Sequence, residues 1–146
     1  MIAATALVAT AAAITVALVG GTTEVAGTSS VNATASYSTG GVLLLYATGS
    51  LDRTLLPGSG CEGTNGYDDI TEGAPVTLYD QSGTIVAAGA LGAGTVTSTG
   101  CLFTFTIPDI PFTANFFQYE ITHRGKLTAS KQELLDSSLS ASLGTP

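Results

Sequence analysis

The pattern of apolar and polar positions changes character twice along the chain. Residues 1–20 (MIAATALVATAAAITVALVG) form one uncharged apolar run, which as a helix rising 1.5 Å per residue can just cross roughly 30 Å of hydrocarbon. Residues 21–38 (GTTEVAGTSSVNATASYS) are mostly Gly, Thr, Ser and Ala, with Glu24 as the single charge. Such a stretch cannot bury enough apolar surface to offset its own ordering entropy, so it reads as a tether. From residue 39 to residue 146 the period becomes two. Phe103, Phe105 and Ile107 alternate with Leu102, Thr104 and Thr106, and Phe117, Tyr119 and Ile121 alternate with Gln118, Glu120 and Thr122. That is the signature of half-buried antiparallel strands. Val76 and Leu78 repeat it, and the continuous run from Val42 to Ala47 predicts a more central strand. A strand over Thr84 to Leu91 follows the turn Asp80-Gln81-Ser82-Gly83. Pro108 and Pro111 are expected to stop the Phe-rich strand, because a central strand cannot spare the donors.

Near the end of the sequence, Ser130-Lys131-Gln132-Glu133 fits a capping box that opens a short helix finishing around Asp136. Leu139, Ala141 and Leu143 then alternate with serines as a last strand. Six or seven short strands in about 105 residues close most naturally as an antiparallel β-sandwich with one short C-terminal helix. The predicted fold class is therefore mainly β, behind a single N-terminal transmembrane helix.

The apolar run admits two readings, a retained anchor and a cleaved secretory signal. A signal carries a basic n-region, yet no Lys or Arg precedes the run and no clean Ala-x-Ala ends it, although Val19-Gly20-Gly21 offers small residues. No Cys lies near residue 20, which excludes lipoprotein processing. The run leans on Ala and Thr, so its insertion energy is modest. The expectation is a retained single-pass anchor in the cell membrane, with the N-terminus cytoplasmic and the domain extracytoplasmic. Small residues at Ala6, Ala9, Ala13 and Ala17 would allow close packing of that helix against another.

Charge sharpens this picture. All charged residues follow the apolar run, four basic against eleven acidic, for a net charge of −7. Nucleic acid is excluded as a partner, since phosphate binding needs a basic patch and Arg53, Arg124, Lys126 and Lys131 are scattered. Anionic head groups would be repelled as well. Cys61 and Cys101 are the only cysteines. In an exported domain they are expected to pair, and without a Cys-x-x-Cys motif they do not suggest a redox or metal site. Closing such a loop restricts the unfolded chain by about 4 kcal/mol.

Between Cys61 and Gly73 sit Glu62, Asn65, Asp68, Asp69 and Glu72. Their oxygens could serve a hard cation such as Ca²⁺, but the spacing is not that of an EF-hand, and Asx residues beside Gly are what tight turns use. A structural turn is the main expectation, with the cation site and a partner-facing acidic patch as its rivals. His123, the sole histidine, precedes Arg124-Gly125 and reads as a solvated turn residue, since no nucleophile motif accompanies it. Tyr67 and Tyr79, flanked by polar residues, are interface candidates. Phe112 and Phe116, which with Tyr37 and Tyr46 could extend such an aromatic contact surface, are expected rather to complete the core.

The order Cys61…Gly66-Tyr67-Asp68-Asp69-Ile70, Gly73, Val76, Leu78, Asp80, Gly83, Cys101, Phe103, Phe105, Tyr119, Arg124-Gly125 and Glu133-Leu134 resembles a group of small exported actinobacterial proteins, mycobacterial and streptomycete-like. The resemblance spans roughly residues 40 to 144 and implies an exported compartment and a disulfide, with no activity attached. The hairpin followed by a Phe-rich strand is also similar, generically, to transthyretin-like and carboxypeptidase-regulatory-like sandwiches. Together these features predict a non-catalytic, cofactor-free accessory subunit. It would be membrane-inserted and packed by its anchor and its sandwich on a larger membrane complex, a respiratory supercomplex being one host of that kind. The alternative is an exported binding module for a cation, a ligand or a cell-envelope component.

Overall fold

The computed structural model describes residues 35–46 and 56–146. The expected anchor over residues 1–20, with Ala6, Ala9, Ala13 and Ala17, lies outside the described residues, as does most of the tether. Among the described residues, no helix is long and apolar enough to cross a membrane.

Among the described residues, nine strands and one helix follow in order. They are β1 (Ser36–Tyr46), β2 (Gly60–Cys61), β3 (Pro75–Asp80), β4 (Ile85–Leu91), β5 (Gly94–Val96), β6 (Gly100–Pro111), β7 (Phe116–Ile121), β8 (Lys126–Ser130), α1 (Lys131–Leu135) and β9 (Leu139–Leu143). All the strands join one hydrogen-bonded sheet. Its organiser is β6, twelve residues long. One side of β6 pairs with β1 from Tyr46↔Gly100 to Ser36↔Pro111. The other side pairs with β5 at Cys101 and Leu102, and then with β4 at Phe105 and Thr106. From β4 the ladder continues through β3 and β7 to β8.

The sheet curls. The rings of Phe105 on β6 and Tyr119 on β7 come within 6.2 Å, although two strands separate them in the ladder. The Tyr119 hydroxyl donates to the Ser140 carbonyl on β9 at 2.7 Å, tying β7 to β9. Period-two burial follows from this shape: Phe103, Phe105 and Ile107 are buried while Thr104 and Thr106 are exposed, and Leu43, Leu45, Val76, Leu78, Phe117 and Ile121 join them inside. The expected Phe-rich, Tyr-bearing and hairpin strands, and the last strand, are thus all present.

Three expectations need correction. The tether gives way to strand at Ser36 rather than after Ser38, because Ser36 and Tyr37 find partners on β6. Pro108 does not stop the Phe-rich strand. Ser38 alone faces Pro108 and Asp109 between the pairs Tyr37↔Ile110 and Thr39↔Ile107, and this β-bulge, with Asp109 at φ 56°, takes up a residue that has no N–H to give. Not all pairing is antiparallel, since β9 runs parallel to β1. The connection through α1 carries the chain past the open side of β8 to the free side of β1 instead of turning it back as a hairpin. The strand β1 is central, between β6 and β9, yet only Leu43 and Leu45 of its apolar run are buried while Val42 faces outward.

The helix start is as expected. Ser130 Oγ accepts from the Glu133 N–H at 3.2 Å, and the Ser130 N–H donates back to Glu133 Oε2 at 2.7 Å. The Ser130 N–H and then its hydroxyl, both donating to Glu133 Oε2, hold that carboxyl below its ordinary range. Leu134 plugs the core, and the helix ends at its C-cap, Asp136.

Candidate functional site

The chain enters the sheet at one end, where Ser36 faces Pro111. The segment Cys61–Gly73 lies at the other end, where β6 begins. Cys61 and Cys101 form a disulfide with their Cα atoms 6.0 Å apart, fastening the start of the loop to β6. Gly94 makes this possible: a Cβ there would strike the Cys61 carbonyl, Cys101 Sγ and the Phe103 ring.

Short-range bonds shape the loop. The Gly63 N–H donates to the Ile70 carbonyl at 2.9 Å, and the Ile70 N–H to the Tyr67 carbonyl at 2.8 Å. Asp68 Oδ2 accepts from the Gly66 N–H at 3.0 Å, closing a tight turn in which Asn65 and Gly66 take φ of 52° and 93°. Ile70 is fully buried and anchors the loop in the core.

Asp69 turns toward the β7–β8 hairpin. Arg124 pairs with it through Nη2 to Oδ1 and through Nε to Oδ2 at 3.1 Å, and the Thr122 hydroxyl donates to Oδ2 at 2.6 Å. Arg124 Nη2 also donates to the Gly66 carbonyl at 2.7 Å, and its guanidinium lies 4.9 Å from the centroid of the Tyr67 ring. One arginine thus clamps the loop by a bidentate pair, a backbone bond and a cation–π contact. The Arg124 bonds hold the Asp69 carboxyl down at about 2. His123 sits exposed in the same hairpin turn.

The four acidic cation candidates therefore divide. Asp68 serves the turn and Asp69 serves Arg124, whereas Glu62 and Glu72 line a groove of about 400 Å³ with Thr64, Ala93 and Gly94 beside the disulfide. Among the described residues, no group of three His, Cys, Asp or Glu side chains could hold a metal ion.

Tyr79 lies on the outer face of β3. Its hydroxyl donates to Glu120 Oε2 at 3.0 Å, which raises its own pKa, and Lys126 Nζ stands 3.6 Å from its ring centroid. The register places Glu120 opposite Thr77 and also opposite Lys126, so the cluster crosses β3, β7 and β8. Both tyrosines singled out from the sequence are half-buried and covered by a cation, Tyr67 by Arg124 and Tyr79 by Lys126. The sequence reading missed both cations and the Asp69–Arg124 pair. Residues 55 positions apart leave no local signal, and only the strand register brings them together. Comparison with known proteins finds no family model, no characterised protein and no solved structure that matches this chain.

Proposed function

We propose that this protein is a non-catalytic accessory subunit of the cell envelope. Residues 1–20 anchor it in the membrane, and its curled β-sandwich packs on a larger membrane complex, of which a respiratory supercomplex is one kind. The observation that carries this reading is the polarity of the domain. The chain enters beside Pro111, whereas the disulfide-stapled loop stands at the opposite end of β6, where an anchored molecule would hold it away from the bilayer. Two of the loop's carboxylates and its tyrosine are engaged in fixing its shape, with Asp69, Arg124 and Tyr67 in one cluster and Asp68 in a turn. A rigid, pre-ordered surface of this kind suits recognition, since little conformational entropy remains to be lost on contact. The resemblance to small exported actinobacterial proteins supports the compartment.

The test is purification of the full chain from its native membranes in mild detergent, with intact mass and partner stoichiometry read together. The expected result is a mass that retains residues 1–20 and a stoichiometric partner whose recovery drops for Arg124→Gln. A mass beginning near Gly21, with nothing accompanying it, would overturn the proposal. A second reading, an exported binding module, is favoured by the groove that Glu62 and Glu72 share. A thermal shift with Ca²⁺ or cell-wall fragments that disappears in a Glu62→Gln, Glu72→Gln variant would select it.

A further inference from the structure

Phe112 and Phe116 do not complete the core as expected: they are 42% and 59% exposed. Phe117 faces inward, so its neighbour Phe116 must face out, and Phe112 lies just past Pro111, where β6 has ended. Both belong to one surface at the end where the chain enters. The Phe112 ring packs on Tyr37 of β1 at 4.5 Å between centroids, and Lys131 Nζ stands 5.0 Å from it. The Lys131 N–H donates to the Asn115 carbonyl at 2.9 Å, and Phe116 faces Ser130 across the β7–β8 register. Leu135, one helical turn from Lys131 on the same face of α1, is 44% exposed. Two exposed phenylalanines and a leucine around one lysine, at one end of a small domain, make a patch that water disfavours.

Its position says what covers it. The patch adjoins Ser36, and only residues 21–35 separate that point from the apolar run, at most about 50 Å of extended chain. A bilayer holding residues 1–20 would be within reach of this end of the domain. The rim carries Asp109, Glu133 and Asp136 as well as Lys131, so the matching surface is zwitterionic rather than anionic. We propose that Phe112, Phe116 and Leu135 form a membrane-resting face. Their side chains enter the boundary between head groups and acyl chains of a zwitterionic bilayer, and Lys131 reaches back to the phosphates. This rests on the anchor reading above and adds an orientation to it: the domain stands on its α1 end, with the stapled loop pointing outward.

The chain contains no tryptophan, so one introduced indole is the sole reporter. The full chain carrying Phe116→Trp is reconstituted into phosphatidylcholine vesicles with and without bromine on the acyl chains. Leu56→Trp serves as the control at the opposite end, where the native side chain is 75% exposed. Flotation reads the anchor and bromine quenching reads the face. The expected result is that both variants float, that the Phe116→Trp emission is blue-shifted and mostly lost to bromolipid, and that the Leu56→Trp emission is not. A floating protein whose Phe116→Trp emission escapes quenching overturns the proposal and leaves the anchor standing. That holds equally if the emission is blue-shifted, because the face is then covered by protein, a second copy included. Failure to float overturns both. Phe112→Trp repeats the measurement should Phe116→Trp fail to fold.

Discussion

Asp69→Asn isolates the charge in the loop clamp, because the amide keeps the shape and an oxygen for the Thr122 hydroxyl while Arg124 loses its carboxylate. In the native protein the carboxyl titrates at about 2 against an ordinary 3.8. At 1.36 kcal/mol per pKa unit that difference sets a ceiling of about 2.4 kcal/mol. The Asp69 side chain is 39% exposed, so water and salt screen the pair. Exposed ion pairs deliver up to about 1 kcal/mol, and that is the expected loss for Asp69→Asn at neutral pH. The sign follows from the direction of the shift. A carboxyl depressed by folding stabilises the native state above its unfolded pKa, and that contribution fades as the pH falls from about 4 to about 2. Urea unfolding of both proteins across pH 2 to 7 checks it, and the gap should also narrow in about 1 M salt, where the Debye length is near 3 Å. A gap that is independent of pH, or one that widens in acid, would refute the clamp as an electrostatic device.

Three other outcomes follow from the same structure. Replacing both Cys61 and Cys101 by Ser should lower stability by about 4 kcal/mol, from the entropy of a loop of this size, read as a shift in urea midpoint. Thr39 is buried with its hydroxyl unpaired, so Thr39→Val should stabilise by about 1 kcal/mol, seen as a higher Tm; a loss would mean that the hydroxyl has a partner. Ser130→Ala removes the acceptor of the helix cap and should cost about 1 kcal/mol in equilibrium unfolding.

Where burial alternates with period two, the fold was legible from the order of apolar and polar residues, as β3, β6, β7 and β9 show. The helix was legible because its cap is written in four adjacent residues. The two-residue β2 and the three-residue β5 were not, since strands that short hold no period and are set by their partners, β5 by β6 and β2 by β5. Pro108 misled because a bulge depends on the partner strand, which a single segment does not reveal. In the loop, the tight turn was legible from Asn65, Gly66 and Asp68, but the Asp69–Arg124 clamp was not. The outward phase of Phe116 was readable from Phe117, Tyr119 and Ile121, had the alternation been carried back one position.

The parallel pairing of β9 with β1 sets a timetable for folding. The strand β1 is the first of the described strands to be synthesised and β9 the last, and Gly41 meets Leu139 about a hundred residues later. Until then β1 has an open backbone edge beside its Leu43 and Leu45 side chains, a template for pairing with other chains. Contacts of such long sequence separation slow folding, because loop-closure entropy must be overcome before they form. The domain therefore closes only when its final strand arrives, and an alteration confined to Leu139–Leu143 would be felt at the very first strand.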